Sequence, residues 1–223
     1  MSHAHAHTGA PGPLTNAAAT PPVLVTGDDA VAAMKASVTR YGFGELPRSL
    51  HGDVLAGLRA EAETQFGGAV HAESGDEAPL RYRARVAGLG DYALSLLKGP
   101  EMTALLEGVF GQRFTLSENI SCYTFYNSDD HLGAHQDSPA EQCQVTIIVY
   151  LHATSPDRDA PDTGLVLNVY GEEPESVGHA RLRIPTVAGS LVLGAGSRFW
   201  HERPRLKPGE TVTAITGCYR RPD

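Results

Sequence analysis

The stretch Cys122-Tyr123-Thr124-Phe125-Tyr126, continued by Asn127-Ser128-Asp129-Asp130-His131-Leu132-Gly133-Ala134-His135-Gln136-Asp137-Ser138, decides how this chain is read. Its first five residues are mostly aromatic or β-branched, the composition of a half-buried strand. A polar loop then leads to His135 and Asp137, two positions apart at the start or end of a strand. Residues i and i+2 of an extended chain point to the same side, so this imidazole and carboxylate are able to share one metal ion. Alone, the pair is a weak signal, because a turn aspartate beside a surface histidine looks the same.

Downstream, short β-runs alternate with turn residues. Strands are expected at about Arg113–Leu116, Ile120–Tyr126, Val145–Leu151, Leu165–Tyr170, Arg181–Ile184, Ser190–Leu193, Phe199–His201 and Thr211–Tyr219. Many short strands of this kind suggest a sandwich, barrel or double-sheet jelly roll. Upstream the pattern is helical. Asp28 or Asp29 caps a helix towards Arg40, which Tyr41-Gly42-Phe43-Gly44 ends; others fit 51–66, 91–97 and Pro100–Phe110, and Val23–Val25 reads as a short strand. Helices first and strands after is the α+β order.

A third ligand has to come from elsewhere, and His201, after Ser197-Arg198-Phe199-Trp200, is the best candidate. Two histidines and one carboxylate leave open positions on a metal, the ligand set associated with non-haem Fe(II). The absence of a nearby thiolate argues against structural zinc.

The bulk numbers agree with a single globular unit. The chain has 223 residues, 41% apolar and 20% charged, enough for one packed core. A formal net charge of −8 argues against nucleic acid or an anionic membrane and for a small-molecule partner, since polyanion binders carry a basic face. Three cysteines, Cys122, Cys143 and Cys218, with no close pair, read as buried free thiols in a reducing compartment. No membrane-length apolar run or signal peptide stands out, so the cytoplasm is expected. Residues 1–22, with His3, His5 and His7, read as a disordered leader before one folded unit over 23–223, helical over 23–110 and β-rich, of jelly-roll type, over 111–223.

From Glu118 to Arg221 the layout resembles the Fe(II)/2-oxoglutarate dioxygenase superfamily. The resemblance rests on the aromatic strand, H-x-D, Val145-Thr146-Ile147-Ile148-Val149-Tyr150-Leu151, Thr163-Gly164-Leu165, Gly189-Ser190-Leu191 and Trp200-His201. It implies a double-stranded β-helix, a distorted jelly roll packed against the N-terminal helices. It also implies Fe(II) on His135, Asp137 and His201, with 2-oxoglutarate and O2 as co-substrates. The related halogenases replace the aspartate by Ala or Gly, so Asp137 points to hydroxylation. The family's usual carboxylate-binding arginine follows a Gly-Glu pair; here Gly209-Glu210 is followed by Thr211. Arg203, two beyond His201, is the first replacement, with Arg205, Lys207 and Arg220 as rivals. Tyr126 matches a tyrosine that often hydrogen-bonds the co-substrate.

Ser117-Glu118-Asn119-Ile120-Ser121-Cys122-Tyr123 further resembles a small branch that hydroxylates or halogenates free amino acids. There Glu118 is expected to hold a substrate ammonium, with His131 and Arg83 as further substrate contacts. The alternatives are a prolyl-hydroxylase-like enzyme acting on peptides and a non-catalytic jelly-roll module that binds a small ligand.

Overall fold

The computed structural model describes residues 23–222 apart from 26, 75–77, 79, 158 and 159; the leader expected over 1–22 lies outside the described residues. Four helices, α1 (Asp28–Tyr41), α2 (Gly52–Phe66), α3 (Asp91–Lys98) and α4 (Pro100–Phe110), fall close to where the sequence pattern puts them. The strands are β1 (Phe43–Leu46), β2 (Val70–Glu73), β3 (Tyr82–Gly88), β4 (Thr115–Leu116), β5 (Cys122–Tyr126), β6 (His131–His135), β7 (Val145–Thr154), β8 (Val166–Val169), β9 (Leu182–Pro185), β10 (Leu191–Gly194), β11 (His201–Arg203) and β12 (Thr211–Arg220).

These strands form one sheet in the order β1-β10-β7-β12-β5-β3-β6-β11-β8-β9, with β2 on β3 and β4 on β12. β3 carries the sheet round a corner, because it pairs with both β5 and β6. The two runs then face each other across an inner cluster that joins Tyr126, Tyr150 and Val212 of the long run to Leu167, Val169 and Ile184 of the short one. The outer face of the long run packs against the helices through Leu58, Leu97, Leu106, Ile215 and Tyr219. This is the expected jelly roll with helices on one side.

Four strands were not expected. β1 was read as a helix break, β2 and β3 were not marked, and β6 was read as a loop. In β3 the alternation is real: Arg83 and Arg85 alternate with Tyr82, Ala84 and Val86, and Ala84 is buried while Arg85 is exposed. The segregated helix-then-strand order therefore breaks down, since β1, β2 and β3 join the sheet from the N-terminal half. Cys143 and Cys218 form a disulfide across 75 residues, leaving Cys122 free. The expectation of three thiols fails because β7 and β12 are sheet neighbours, a proximity invisible in sequence spacing.

Glu61 of α2 locks two helices to the sheet. Its carboxylate accepts the Tyr92 and Ala93 N–H groups at 2.7 and 2.9 Å, capping α3 from outside, and the Tyr123 hydroxyl of β5 at 2.6 Å. Burial works against its ionised form, but these donors outweigh burial and hold its pKa below the ordinary 4.5. Glu61→Ala is expected to destabilise the protein by about 1–3 kcal/mol in urea unfolding, because it leaves these donors unpaired. A carboxylate held below its unfolded pKa stabilises only above that value. The stability difference between wild type and Glu61→Gln is therefore expected to shrink as pH falls below 4.5.

Candidate metal centre

β6 ends at His135, Asp137 follows it, and β11 begins at His201, paired directly with His135. Between this pair and the next, Arg203 opposite Leu132, the register shifts. Gly133 and Ala134 of β6 together oppose Glu202 alone, which is a β-bulge. Alternation would otherwise send Leu132 and His135 to opposite faces. The bulge turns both inward, and both line the same cavity.

One ligand atom from each of His135, Asp137 and His201 lies within 4.8 Å of the others. Asp137 Oδ1 is 3.2 Å from His135 Nε2 and 3.6 Å from His201 Nε2. The Nδ1 atoms lie 2.9 Å from the Gly133 carbonyl and 3.0 Å from the Phe199 carbonyl. Donation from Nδ1–H to those carbonyls fixes the tautomer and leaves both Nε2 lone pairs for a metal. Burial, then the charge of His135, lowers the His201 pKa to about 4, although Asp137 and the Phe199 carbonyl oppose this. Burial disfavours ionised Asp137, but the charges of His201 and His135 and hydrogen bonds from His135 and Thr146 outweigh it and bring the pKa to about 2. At neutral pH His201 is an uncharged ligand and Asp137 an anionic one. Two imidazoles and a carboxylate, without thiolate, suit Fe(II).

Solved structures share this architecture. A prolyl-4-hydroxylase from Pseudomonas putida matches with a TM-score of 0.61 and 17% identity, over 86% of this chain and 100% of that one. The epimerase SnoN of nogalamycin biosynthesis matches at 0.67 and 16%, over 87% and 84%, and has been solved with Fe3+, α-ketoglutarate and nogalamycin RO. A 2OG-Fe(II) oxygenase family oxidoreductase from Burkholderia pseudomallei matches at 0.65 and 16%, over 86% and 92%. The fold is that of the 2-oxoglutarate oxygenases. No protein-family model and no curated protein matches the sequence.

Within this oxygenase fold the remaining expected residues divide. Tyr126 and Arg203 line the cavity with the triad, together with Leu132, Thr146, Ile148, Leu167, Ala214 and Thr216. Arg203 is 4% exposed. Its guanidinium donates to Thr186 Oγ1 at 3.0 Å and the Tyr150 hydroxyl at 2.9 Å, and lies over the rings of Tyr126 and Tyr150. No carboxylate pairs with it among the described residues. Burial pushes the Tyr126 phenol pKa up despite Arg203, so it remains a donor.

The other four lie elsewhere. Thr211 is hydroxyl-bonded to Thr154 at 2.6 Å and lines a separate cleft near Phe66, because β12 turns Val212 and Ala214 inward instead. Glu118 was expected to hold a substrate ammonium, which requires it to face the cavity. Residues 118–120 form a 3-10 turn, and Glu118 instead ion-pairs with Lys98 at 2.5 Å beside a cleft lined by Arg220 and Arg221. Arg83 stands 3.2 Å from Asp130, its N–H not aimed along that line, and is bound up with the Asn127–Asp130 turn. His131 faces the outer cleft beside Arg81, Gly133 and Glu202, displaced from the metal side by the bulge. Arg205 donates to the Asp129 carbonyl and Lys207 ion-pairs with Asp162, so neither rival reaches the cavity.

The sequence reading missed Thr146, Tyr150, Thr186 and Gly196. Period-two alternation along β7 would have grouped Thr146, Ile148 and Tyr150 on the inner face. At Gly196 a Cβ would fall on Asp137 Oδ2 and Thr146 Oγ1. Titration with Co(II), followed by visible absorbance, is expected to show one site in wild type. The site should be lost in His201→Ala and weakened by about ten-fold or more in Gly196→Ala, which displaces the carboxylate.

Proposed function

We propose that this chain is a non-haem Fe(II), 2-oxoglutarate and O2 dependent oxygenase that hydroxylates a small molecule. The observation that carries the reading is Arg203: a buried guanidinium, unpaired with any carboxylate among the described residues, on the same strand as the metal-ligand His201. Burying such a charge is costly unless an anion completes it, and an arginine fork suits a carboxylate.

When bound, Fe(II) with 2-oxoglutarate and O2 supplies the oxidising chemistry: the keto acid becomes succinate and CO2, and one oxygen atom enters a substrate C–H bond. His135, Asp137 and His201 would hold the metal through two imidazole nitrogens and one carboxylate oxygen. Arg203 takes the distal carboxylate, oriented by the Tyr150 and Thr186 hydroxyls, while Tyr126 donates to it. Leu132, Ile148 and Leu167 keep water from the cavity wall, which strengthens each of these polar contacts. The cofactor carries the reaction and the chain supplies placement.

A free amino acid or similar small zwitterion is the proposed substrate class, from the resemblance of Ser117–Tyr123. Glu118, ion-paired and outside the cavity, lends it no support. A peptide substrate is the second reading, favoured by the likeness to the P. putida prolyl-4-hydroxylase over that enzyme's whole length. Succinate release measured against free amino acids and against proline-containing peptides separates the two.

Anaerobic addition of Fe(II) and 2-oxoglutarate is expected to give the weak visible charge-transfer absorption of a chelated Fe(II)–keto acid in wild type and none in His135→Ala. Arg203→Ala should weaken 2-oxoglutarate binding by at least about 30-fold while Fe(II) still binds, because truncating one side of a buried charge pair costs about 2–5 kcal/mol. Unchanged 2-oxoglutarate affinity in that variant would remove Arg203 from the site.

A further inference from the structure

Asp137 and Thr146 are joined twice: through the chain over Ser138–Val145, and through space, where Thr146 Oγ1 donates to Asp137 Oδ2. With Oδ2 engaged, Oδ1 is the oxygen turned towards the two Nε2 atoms. The Thr146 hydroxyl therefore decides which way the carboxylate faces.

What holds Thr146 is the disulfide. Cys218 of β12 is the register partner of Thr146, and Cys143, three residues before Thr146, bonds to it. Cys143 Sγ lies 3.5 Å from Thr146 Oγ1, and Cys143, Thr146 and Cys218 are all buried. Cys218 is itself fixed, its N–H donating to Ser121 Oγ at 3.0 Å and its carbonyl accepting the Ser117 N–H at 2.7 Å. A disulfide sulfur carries no hydrogen. It makes no claim as a donor on the Thr146 oxygen, whose proton goes to Asp137. A thiol at Cys143 would bring a weak donor to the same oxygen.

We propose that the Cys143–Cys218 disulfide is a positioning element of the metal centre, holding Thr146 so that its hydroxyl keeps the Asp137 carboxylate turned to the metal. The inference rests on the metal-centre reading above. It makes metal affinity depend on a covalent bond that touches no ligand atom.

The test is Co(II) titration of the full chain at a temperature where thermal melts show every variant folded. Cys143→Ala/Cys218→Ala and Thr146→Val are each expected to weaken Co(II) binding by about 10- to 100-fold, the usual cost of losing a group that orients a ligand. Thr146→Ser, which keeps the hydroxyl, should bind as wild type. The triple variant should bind no more weakly than the weaker of its parents, because a disulfide that acts only through Thr146 has nothing to transmit once the hydroxyl is gone. If the alanine pair does not fold, Cys143→Val/Cys218→Ala, which refills the volume of the sulfurs, takes its place.

A bond that merely stabilises the fold would lower the melting temperature and leave the affinity of the folded protein unchanged. That result overturns the proposal, as does a triple variant whose losses multiply in full. Wild-type protein that binds no Co(II) would instead overturn the metal-centre reading beneath it.

Discussion

Everything at the centre of this molecule depends on two residues of β6, Gly133 and Ala134, standing opposite one residue of β11, Glu202. A regular antiparallel pair would keep strict alternation, and either Leu132 or His135 would face outward. The extra residue lets β6 seal the cavity wall with Leu132 and still present His135 beside His201. β11 needs no such device, since His201 and Arg203 are two apart and share the inner face. One local irregularity thus lines up two candidate metal ligands and a buried cation along one short pair of strands. It also places His131 and Glu202 in the cleft on the outer side.

The electrostatics of the cavity follow from that arrangement. Near β6 and β11 stand an anion, Asp137, and two imidazoles that are held by backbone carbonyls in the tautomer a metal requires. Deeper in, near Tyr150 and Thr186, stands a guanidinium whose partners are hydroxyls and ring faces. A molecule with a metal-chelating end and an anionic end meets complementary charge at both. Phe43, its ring tilted at 48° and 4.8 Å from the His201 ring, links the site to β1, the strand next to α1.

The clustering of His135, Asp137 and His201 and the jelly roll were legible in the sequence because both have short-range signatures. H-x-D needs only the period of a strand, and β5, β7 and β12 are apolar enough to be read by composition. Arg203 was legible by the same parity from His201. β3 and β6 were not: the arginines of β3 drew the eye to charge although they alternate with Tyr82, Ala84 and Val86, and glycine and histidine weaken the pattern of β6. Glu118 was misplaced because residues 118–120 form a 3-10 turn ahead of β5, and its carboxylate goes to Lys98 instead of the cavity. The Cys143–Cys218 bond and the Thr146–Asp137 contact depend on which strands lie side by side, and no local pattern encodes that.

The unpaired burial of Arg203 has a consequence for the lifetime of the chain. A native state that shelters a lone guanidinium is held below its attainable stability, and any anion that completes the pair binds the folded form alone. Folding and the supply of such an anion would then be coupled by mass action, with a gain of about 2.7 kcal/mol when the anion stands at a hundred times its dissociation constant. Its scarcity would raise the fraction of the chain that is unfolded and open to proteolysis.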